Sequence, residues 1–114
     1  MTLEQEHCVP CEKKQKPLGH DRNEILLKEV NHGWAIIDDK KLERHFAFKD
    51  FKETLDFVNK VGDIAESEGH HPDMNLYSWN KLTITLFTHN IGGLSENDFI
   101  LAAKINSLLQ EKSS

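Results

Sequence analysis

Apolar and polar residues follow two different periods along the chain, and these periods predict its helices and strands. Between residues 51 and 67, apolar positions recur every three or four residues, which is the spacing of one face of a helix. Asp50 precedes this run and is a favourable N-cap, and Gly69 follows it as a terminator. The pattern therefore predicts the longest helix of the protein over residues 51 to 67.

Two shorter stretches also have helical spacing. Asp21 and Glu24 form an approximate capping box at the start of the first stretch. Ser95 and Asp98 form a second capping box, which opens a helix that runs towards the C-terminus. We therefore expect one helix on each side of the long central helix.

Alternation with a period of two predicts strands between these helices. Residues 34 to 37 and 42 to 49 form two such runs joined by a polar turn, and residues 74 to 79 and 81 to 89 form a second pair. In the last run, the apolar residues at even positions up to 86 face one way and the residues at odd positions face the other. The order of elements predicts an α+β fold, in which a four-stranded, largely antiparallel sheet has helices packed on one face (α-β-β-α-β-β-α).

The first 19 residues differ from the rest of the chain. They contain two of the three prolines and both cysteines, Cys8 and Cys11, and they show no apolar period. We therefore expect a flexible N-terminal arm over residues 1–19 and a folded domain over residues 20–114. The two cysteines have the spacing of half a zinc site or of a redox pair, but the other half is missing, so no metal is assigned to them.

Composition narrows the class of protein. The chain has 114 residues, of which 38% are hydrophobic and 29% are charged, as in an ordinary soluble domain. The formal net charge is -5 and no basic face is visible, which argues against nucleic-acid binding. No apolar run is long enough for a membrane span, and the first residues do not resemble a secretory signal. We therefore expect a cytoplasmic protein without a nucleic-acid or membrane partner.

Four ionisable residues form the strongest candidate site. Glu66 and His70 are four positions apart at the end of the long helix and can share a face. His71 follows directly, and His89 lies at the exit of the last strand. Histidine titrates near neutral pH, so this cluster can exchange protons with a substrate. The alternative is that the His-His pair is simply solvated in a loop; no metal site is expected, because no motif with metal-ligand spacing is present.

Five separated blocks of the sequence resemble the pterin-4a-carbinolamine dehydratase family. They agree with that family in order and spacing, and they are residues 66–72, 79–81, 88–89, 93–95 and Asp98. Gly33-Trp34 and residues 45–51 also look like the family, and the resemblance covers about residues 18 to 110.

The resemblance implies a reaction and roles for the candidate residues. The family removes water from the 4a-hydroxy adduct that aromatic amino-acid hydroxylases leave on their tetrahydropterin cofactor, and it needs neither a metal nor a bound cofactor to form quinonoid dihydropterin. By resemblance, His70 and His89 are the acid–base pair and His71 chiefly orients the pterin. Glu66 would orient a histidine, and Pro72 would hold the histidine pair rigid.

The resemblance also implies substrate contacts and partners. Trp34 would contribute to the pterin pocket, and main-chain groups around Ser78 and Trp79 would bind the flat edge of the pterin. Pro72 and Asp98 are assigned to substrate binding with them. Family members are homodimers or homotetramers. The expected partners are therefore a small pterin, further copies of the chain and, through a functional link, an aromatic amino-acid hydroxylase.

Two other functions stay open at this point. An animal member of the family also serves as a dimerisation cofactor for a homeodomain transcription factor, so the chain can be a protein-binding module. It can also be a dehydratase-like protein that acts on another pterin, for example in molybdopterin metabolism. Gly69 and Asn97 stand where some members have an acidic residue and an arginine, and substrate contacts or assembly can differ at these positions.

Overall fold

The computed structural model describes residues 2–9 and 16–113, with side chains described up to Leu109. Within these residues, three α-helices and four β-strands follow one another in the predicted order. They are α1 (His20–Val30), β1 (Ala35–Ile37), β2 (Lys41–Ala47), α2 (Phe51–Glu68), β3 (Asp73–Tyr77), β4 (Lys81–Leu86) and α3 (Glu96–Ser113). Two short 3-10 turns are also described, at Leu3–Gln5 and His89–Ile91.

The four strands form one antiparallel sheet in the order β1-β2-β4-β3. The two hairpins lie side by side, so β2 and β4 form the centre of the sheet. Leu42 faces Leu86 and Phe46 faces Leu82 across this central pair. These apolar side chains are buried in one core with residues of the three helices. The predicted four-stranded antiparallel sheet with helices on one face is therefore confirmed.

Helix α2 forms where its apolar period and its end signals predict it. The Asp50 carboxylate accepts a hydrogen bond from the Glu53 N–H at 2.8 Å, which caps the first turn. Phe57 and Val61 lie on the buried face of the helix. Gly69 ends the helix in the left-handed conformation, with a φ of 66°. Asp50 and Gly69 are therefore confirmed as the end residues of α2. Each forms hydrogen bonds with backbone groups that the helix itself leaves unpaired.

Helix α1 starts earlier than its predicted capping box requires. Its N-cap is Gly19, whose carbonyl accepts the Asn23 N–H at 3.0 Å, and no side chain caps this end. Asp21 therefore lies inside the first turn, where its negative charge still interacts favourably with the helix dipole. The predicted capping by Asp21 and Glu24 is wrong, because the helix already begins at His20.

Residues 2–9 pack against the domain, although the sequence predicts a flexible arm there. Leu3 is buried and belongs to the hydrophobic core. The 3-10 turn around it contacts α3, from which the Lys104 Nζ donates to the Glu4 carbonyl at 2.8 Å. One buried leucine, main-chain hydrogen bonds and side-chain contacts such as that of His7 with Glu68 hold this segment, and none of these produces a periodic pattern in the sequence. Cys11 and residues 12–15 lie outside the described residues.

A buried amide on α3 joins three other parts of the domain. The Asn106 Oδ1 accepts hydrogen bonds from the Trp34 Nε1–H at 2.8 Å and from the Arg44 Nη1–H at 2.7 Å. The Asn106 Nδ2 donates to the Val30 carbonyl at 2.6 Å. This one side chain therefore links α3 to the end of α1, to the start of β1 and to β2.

Asn106→Ala should strongly destabilise the fold. The substitution leaves the Trp34 donor and the Val30 carbonyl unpaired in the interior, and each such group costs about 1–3 kcal/mol. We expect the free energy of unfolding to fall by roughly 2–4 kcal/mol, measured by urea denaturation. Asn59→Ala is the matched control, because Asn59 is exposed on α2. A loss for Asn106→Ala as small as that of the control would contradict the linking role.

Candidate active site

The end of α2 fixes the position of His70. Gly69 adopts a left-handed φ of 66°, and its N–H donates to the Glu66 carbonyl at 3.4 Å. The His70 N–H then bonds back to the Ala65 carbonyl at 3.2 Å. These two bonds form a Schellman motif, the common way in which a glycine ends a helix. The motif holds the His70 backbone against the last turn of α2 and directs the chain away from the helix axis.

The His70 ring is held by a buried carboxylate. Its Nε2 lies 2.6 Å from the Asp98 Oδ1, and the exposed fractions of the two side chains are 13% and 0%. The Asp98 Oδ2 accepts hydrogen bonds from the Thr88 hydroxyl at 2.8 Å and from the Ser95 N–H at 3.0 Å. Because a carboxylate can only accept, the His70 Nε2 carries the proton of the first bond. The Nδ1 of His70 is therefore the nitrogen that can take up a proton.

The chain beyond β4 turns back on itself and carries His89. Thr88 pairs with Gly93 through an N–H to carbonyl bond of 2.8 Å, and the 3-10 turn His89–Ile91 lies between them. Pro17 packs so closely against Gly93 that an added side-chain carbon would lie 2.7 Å from it. The predicted strand over residues 81 to 89 is therefore too long, because β4 ends at Leu86. This loop brings His89 back towards the end of α2.

A cavity of about 390 Å³ lies between the end of α2, the exit of β4 and the start of α3. Three of the four predicted catalytic residues are part of its wall, and the ring centroids of Phe87 and His89 are 4.0 Å apart there. Its lining residues are Gly69, His70, His71, Phe87, Thr88, His89, Asn90 and Asn97. A larger cavity, of about 480 Å³, lies between the N-terminal segment, α1 and α3, and none of the predicted site residues lines it.

Glu66 contacts His71 and not His70. The Glu66 Oε1 lies 2.7 Å from the His71 Nε2, and the exposed fractions of the two side chains are 80% and 61%. The predicted sharing of a helix face by Glu66 and His70 is not observed, because α2 ends at Glu68 and the Gly69 turn rotates His70 towards Asp98. An ion pair this exposed contributes little to stability.

The structure places the other predicted binding residues away from the cavity wall. Trp34 is buried in the core, where it bonds to Asn106. Ser78 and Trp79 form the turn between β3 and β4 with positive φ angles of 48° and 54°, and Trp79 is 62% exposed. Pro72 follows the histidine pair without lining the cavity. Asp98 lies behind His70 rather than at the cavity surface.

The sequence does not predict the partners of Asp98. Thr88 and Ser95 share a hydroxyl hydrogen bond of 2.8 Å, and both contact the Asp98 carboxylate. The Ser95–Asp98 capping box is the only signal that could have indicated this arrangement, because it places a carboxylate at the start of a helix. The box forms only in part: the Asp98 carboxylate accepts the Ser95 N–H, while the Ser95 hydroxyl bonds to Thr88.

A second buried carboxylate, Glu68, lies in the last turn of α2. Its Oε1 accepts the Cys8 N–H at 2.8 Å, and its Oε2 accepts a hydrogen bond from the His7 Nδ1 at 2.9 Å. The Lys104 Nζ of α3 is 3.7 Å from the same Oε2. Burial by itself raises the pKa of Glu68, but these three groups outweigh that effect, and the pKa lies below its ordinary value.

The described residues contain neither a metal-binding cluster nor a membrane-spanning helix. No group of three or more His, Cys, Asp or Glu side chains in residues 2–9 and 16–113 is arranged to hold a metal ion. No helix in the same part of the chain has the length and apolar character that crossing a membrane requires.

Residues 16–108 match the model of a protein family described as pterin 4 alpha carbinolamine dehydratase. The chain belongs to the pterin-4a-carbinolamine dehydratase family. A relative from Alkaliphilus metalliredigens that carries the family's name is 48% identical, and the match covers 96% of this chain and 98% of that protein. Pterin-4-alpha-carbinolamine dehydratase 2, mitochondrial, of Arabidopsis thaliana is 49% identical, with 96% of this chain and 60% of that protein covered.

Solved structures of a pterin dehydratase and of a pterin dehydratase-like protein share the fold. A transcriptional coactivator/pterin dehydratase from Brucella melitensis superimposes with a TM-score of 0.73 and 32% identity, over 82% of this chain and 98% of that one. A pterin dehydratase-like protein described as a RuBisCO assembly factor in the alpha-carboxysome gives a TM-score of 0.57 and 25% identity, over 69% of this chain and 92% of that one. The residues that match the family model include His70, Asp98 and all residues that line the cavity.

The lowered pKa of Glu68 predicts a pH-dependent part of this protein's stability. A carboxyl group whose pKa is lower in the folded than in the unfolded state stabilises the fold above about pH 4, and the contribution is lost as the pH falls through the folded-state pKa. Glu68→Gln should therefore be less stable than the wild type at about pH 7, and the difference should shrink at about pH 3.

Urea unfolding at both pH values measures this difference. Glu66→Gln is the matched control, because Glu66 belongs to the same helix turn but is exposed, and its substitution should change stability little. A stability difference between wild type and Glu68→Gln that is the same at both pH values would argue against the ionised, buried carboxylate.

Proposed function

We propose that the protein is a dehydratase that removes water from the 4a-hydroxy adduct of a tetrahydropterin and releases quinonoid dihydropterin. The observation that carries the proposal is the pairing of His70 with the buried Asp98 carboxylate on one side of a cavity that His89 also lines. Membership of the pterin dehydratase family supports the same substrate class. Tetrahydrobiopterin-type cofactors are the pterins that the proposal favours.

The reaction needs two proton transfers and no change in oxidation state. A proton goes to the departing 4a-hydroxyl, the C4a–O bond breaks, and water leaves. A base takes the proton from N5 as the double bond between N5 and C4a forms. Each proton transfer by a positioned side chain typically contributes about 10²- to 10⁴-fold to the rate.

His70 is suited to the role of the base. Asp98 accepts a hydrogen bond from the Nε2–H and stabilises the positive charge that forms on the ring when Nδ1 takes the N5 proton, which is the function of the aspartate in catalytic triads. His89 lines the same cavity from the loop after β4, in contact with the Phe87 ring, and is the acid for the hydroxyl in this proposal. Together they provide both proton transfers without a metal.

The remaining predicted residues take binding roles in the proposal. His71 lines the cavity and pairs with Glu66, so the two can orient the pterin by hydrogen bonds. Pro72 stiffens the chain directly after the histidine pair, because its ring fixes φ. Trp34, Ser78 and Trp79 do not line this cavity, so only the family motif supports the pterin contacts proposed for them. Asp98 acts through His70.

Single substitutions of the three histidines test the proposal. His70→Ala and His89→Ala should lower kcat by about 10²- to 10⁴-fold in an ultraviolet assay of 4a-carbinolamine dehydration. His71→Ala should mainly raise KM, because an orienting contact is present in both the ground and the transition state. The free-energy barrier of the double His70/His89 variant should rise by less than the sum of the increases in the two single variants.

The assay is run with a chelator and corrected for the uncatalysed dehydration. His45→Ala is the control, because His45 is exposed on β2. A wild-type protein that does not accelerate the reaction would refute the proposed function. If His71→Ala instead has the largest effect on kcat while the other two variants resemble the wild type, the assignment of the acid and base is wrong.

Protein binding is a second candidate function. The Brucella melitensis structure is described as a transcriptional coactivator as well as a pterin dehydratase, and the other neighbour is described as an assembly factor. In this chain, Phe51 and Leu55 are large apolar side chains exposed on α2. Dehydration assays with several pterins, together with a pull-down for protein partners, separate this function and a molybdopterin-related activity from the main proposal.

We place the protein in the cytoplasm, beside an aromatic amino-acid hydroxylase that produces the adduct.

The protein should self-associate as a homodimer or homotetramer. Strands β1 and β3 are the edges of the sheet and each has one unpaired side, which favours pairing with another chain. Phe51 and Leu55 add an exposed apolar surface on α2. We expect sedimentation velocity at micromolar concentration to give a species larger than a monomer. The double variant Phe51→Lys/Leu55→Lys should form smaller assemblies than the control Lys52→Ala; a wild type that is only monomeric would contradict the prediction.

A further inference from the structure

Residues 7–9, which we name the N-terminal strap, cross from the end of α2 to the start of α3. On the α2 side, the Cys8 N–H and the His7 ring donate to the Glu68 carboxylate at 2.8 and 2.9 Å. On the α3 side, the Val9 N–H donates to the Asn97 Oδ1 at 2.9 Å, and the Asn97 Nδ2 donates to the Val9 carbonyl at 2.5 Å. The Cys8 Sγ–H also donates to the Asn97 carbonyl at 3.6 Å. The hydrogen bonds of three consecutive residues therefore join the two helix ends.

The two helix ends carry the two partners of the His70–Asp98 hydrogen bond. Glu68 is two positions before His70, and Asn97 is directly before Asp98. Asn97 also lines the cavity. We therefore expect a change in the separation of these helix ends to alter the hydrogen bond of 2.6 Å between the His70 Nε2 and the Asp98 Oδ1.

The strap pairs with the Asn97 side chain through its main chain. An asparagine side chain presents one acceptor and one donor, and here it pairs with the carbonyl and N–H of a single residue as a neighbouring strand would. The Val9 side chain takes no part in this pairing and is 66% exposed. Lys104 of α3 reinforces the α2 side, because it lies 3.7 Å from Glu68 and also bonds to the Glu4 carbonyl.

We propose that the N-terminal strap is a positioning element of the active site, with Glu68 and Asn97 as positioning residues. By tying the end of α2 to the start of α3, the strap keeps the His70 ring on the Asp98 carboxylate. The catalytic consequence rests on the proposed dehydratase function. A reacting group that is misplaced by about 1 Å can lose up to 10²-fold in rate, so loosening the strap lowers kcat while leaving the groups that bind the pterin in place.

A matched pair of substitutions at one exposed position tests this proposal. Val9→Pro removes the N–H that bonds to the Asn97 Oδ1, and Val9→Ala keeps it. We expect Val9→Pro to lower kcat by about tenfold with little change in KM, and to shift the pH profile of kcat. Val9→Ala should resemble the wild type in each of these measurements.

Proton NMR gives a readout that does not depend on activity. The His70 Nε2–H, which is identified by its loss in His70→Ala, should shift or broaden in Val9→Pro and stay unchanged in Val9→Ala. An unchanged resonance and an unchanged kcat in Val9→Pro would overturn the proposal, as would equal effects of the two substitutions. If the wild type does not catalyse dehydration, the proposed function fails, but the resonance still decides whether the strap positions His70.

A second variant covers the case in which Val9→Pro does not fold. Asn97→Ala removes both hydrogen bonds to Val9 and should produce the same change in the His70 resonance. Since Asn97 lines the cavity, a rise in KM in this variant reports a substrate contact, and the resonance reports the strap. A His70 resonance that remains as in the wild type would overturn the proposal. Where Val9→Pro and Asn97→Ala both fold, the double variant should lose no more kcat than the more affected single variant, because both substitutions break the same link.

Discussion

The candidate site depends on one buried carboxylate that needs donors from three directions. An ionised carboxyl group that is removed from water costs several kcal/mol unless hydrogen bonds replace its hydration. Around Asp98 these donors come from the end of α2, from the exit of β4 and from the start of α3, through His70, Thr88 and Ser95. The three chain segments must therefore meet at this point. The cavity lies between these three segments, and His70 and Thr88 line it while Asp98 does not.

The features of the fold that the sequence predicts are those that depend on neighbours a few residues away. Asp50 caps α2 through an N–H three positions later, and Gly69 ends it through carbonyls within the preceding turn. The alternation in β4 is likewise local, because each side chain faces opposite to the next. The alternating pattern predicts a β4 that is too long. The pairing of Thr88 with Gly93, and not the pattern of the strand itself, sets the end of β4.

The same distinction, between contacts of residues close in the sequence and contacts of distant residues, applies to the candidate site. His70, His71 and His89 are recognisable from their spacing and from the family motif, but their partners are not. The spacing of Glu66 and His70 predicts contact only if the helix continues through both, and Gly69 ends it between them. The contact of Cys8 with Glu68 joins residues 60 positions apart, and no local pattern encodes it. A segment with one buried leucine and main-chain hydrogen bonds therefore resembles a disordered arm in sequence.

The order of the strands has a consequence for how the chain folds. Each hairpin can form early, because its two strands are close in sequence, but the central pair of β2 and β4 joins halves that are separated by the whole of α2. Closing such a long loop costs conformational entropy before any contact repays it, and non-local strand pairing of this kind slows folding. The side chains across this central pair, such as Leu42 with Leu86 and Phe46 with Leu82, belong to the hydrophobic core. A chain with both hairpins formed but with this seam still open therefore has secondary structure without a closed core.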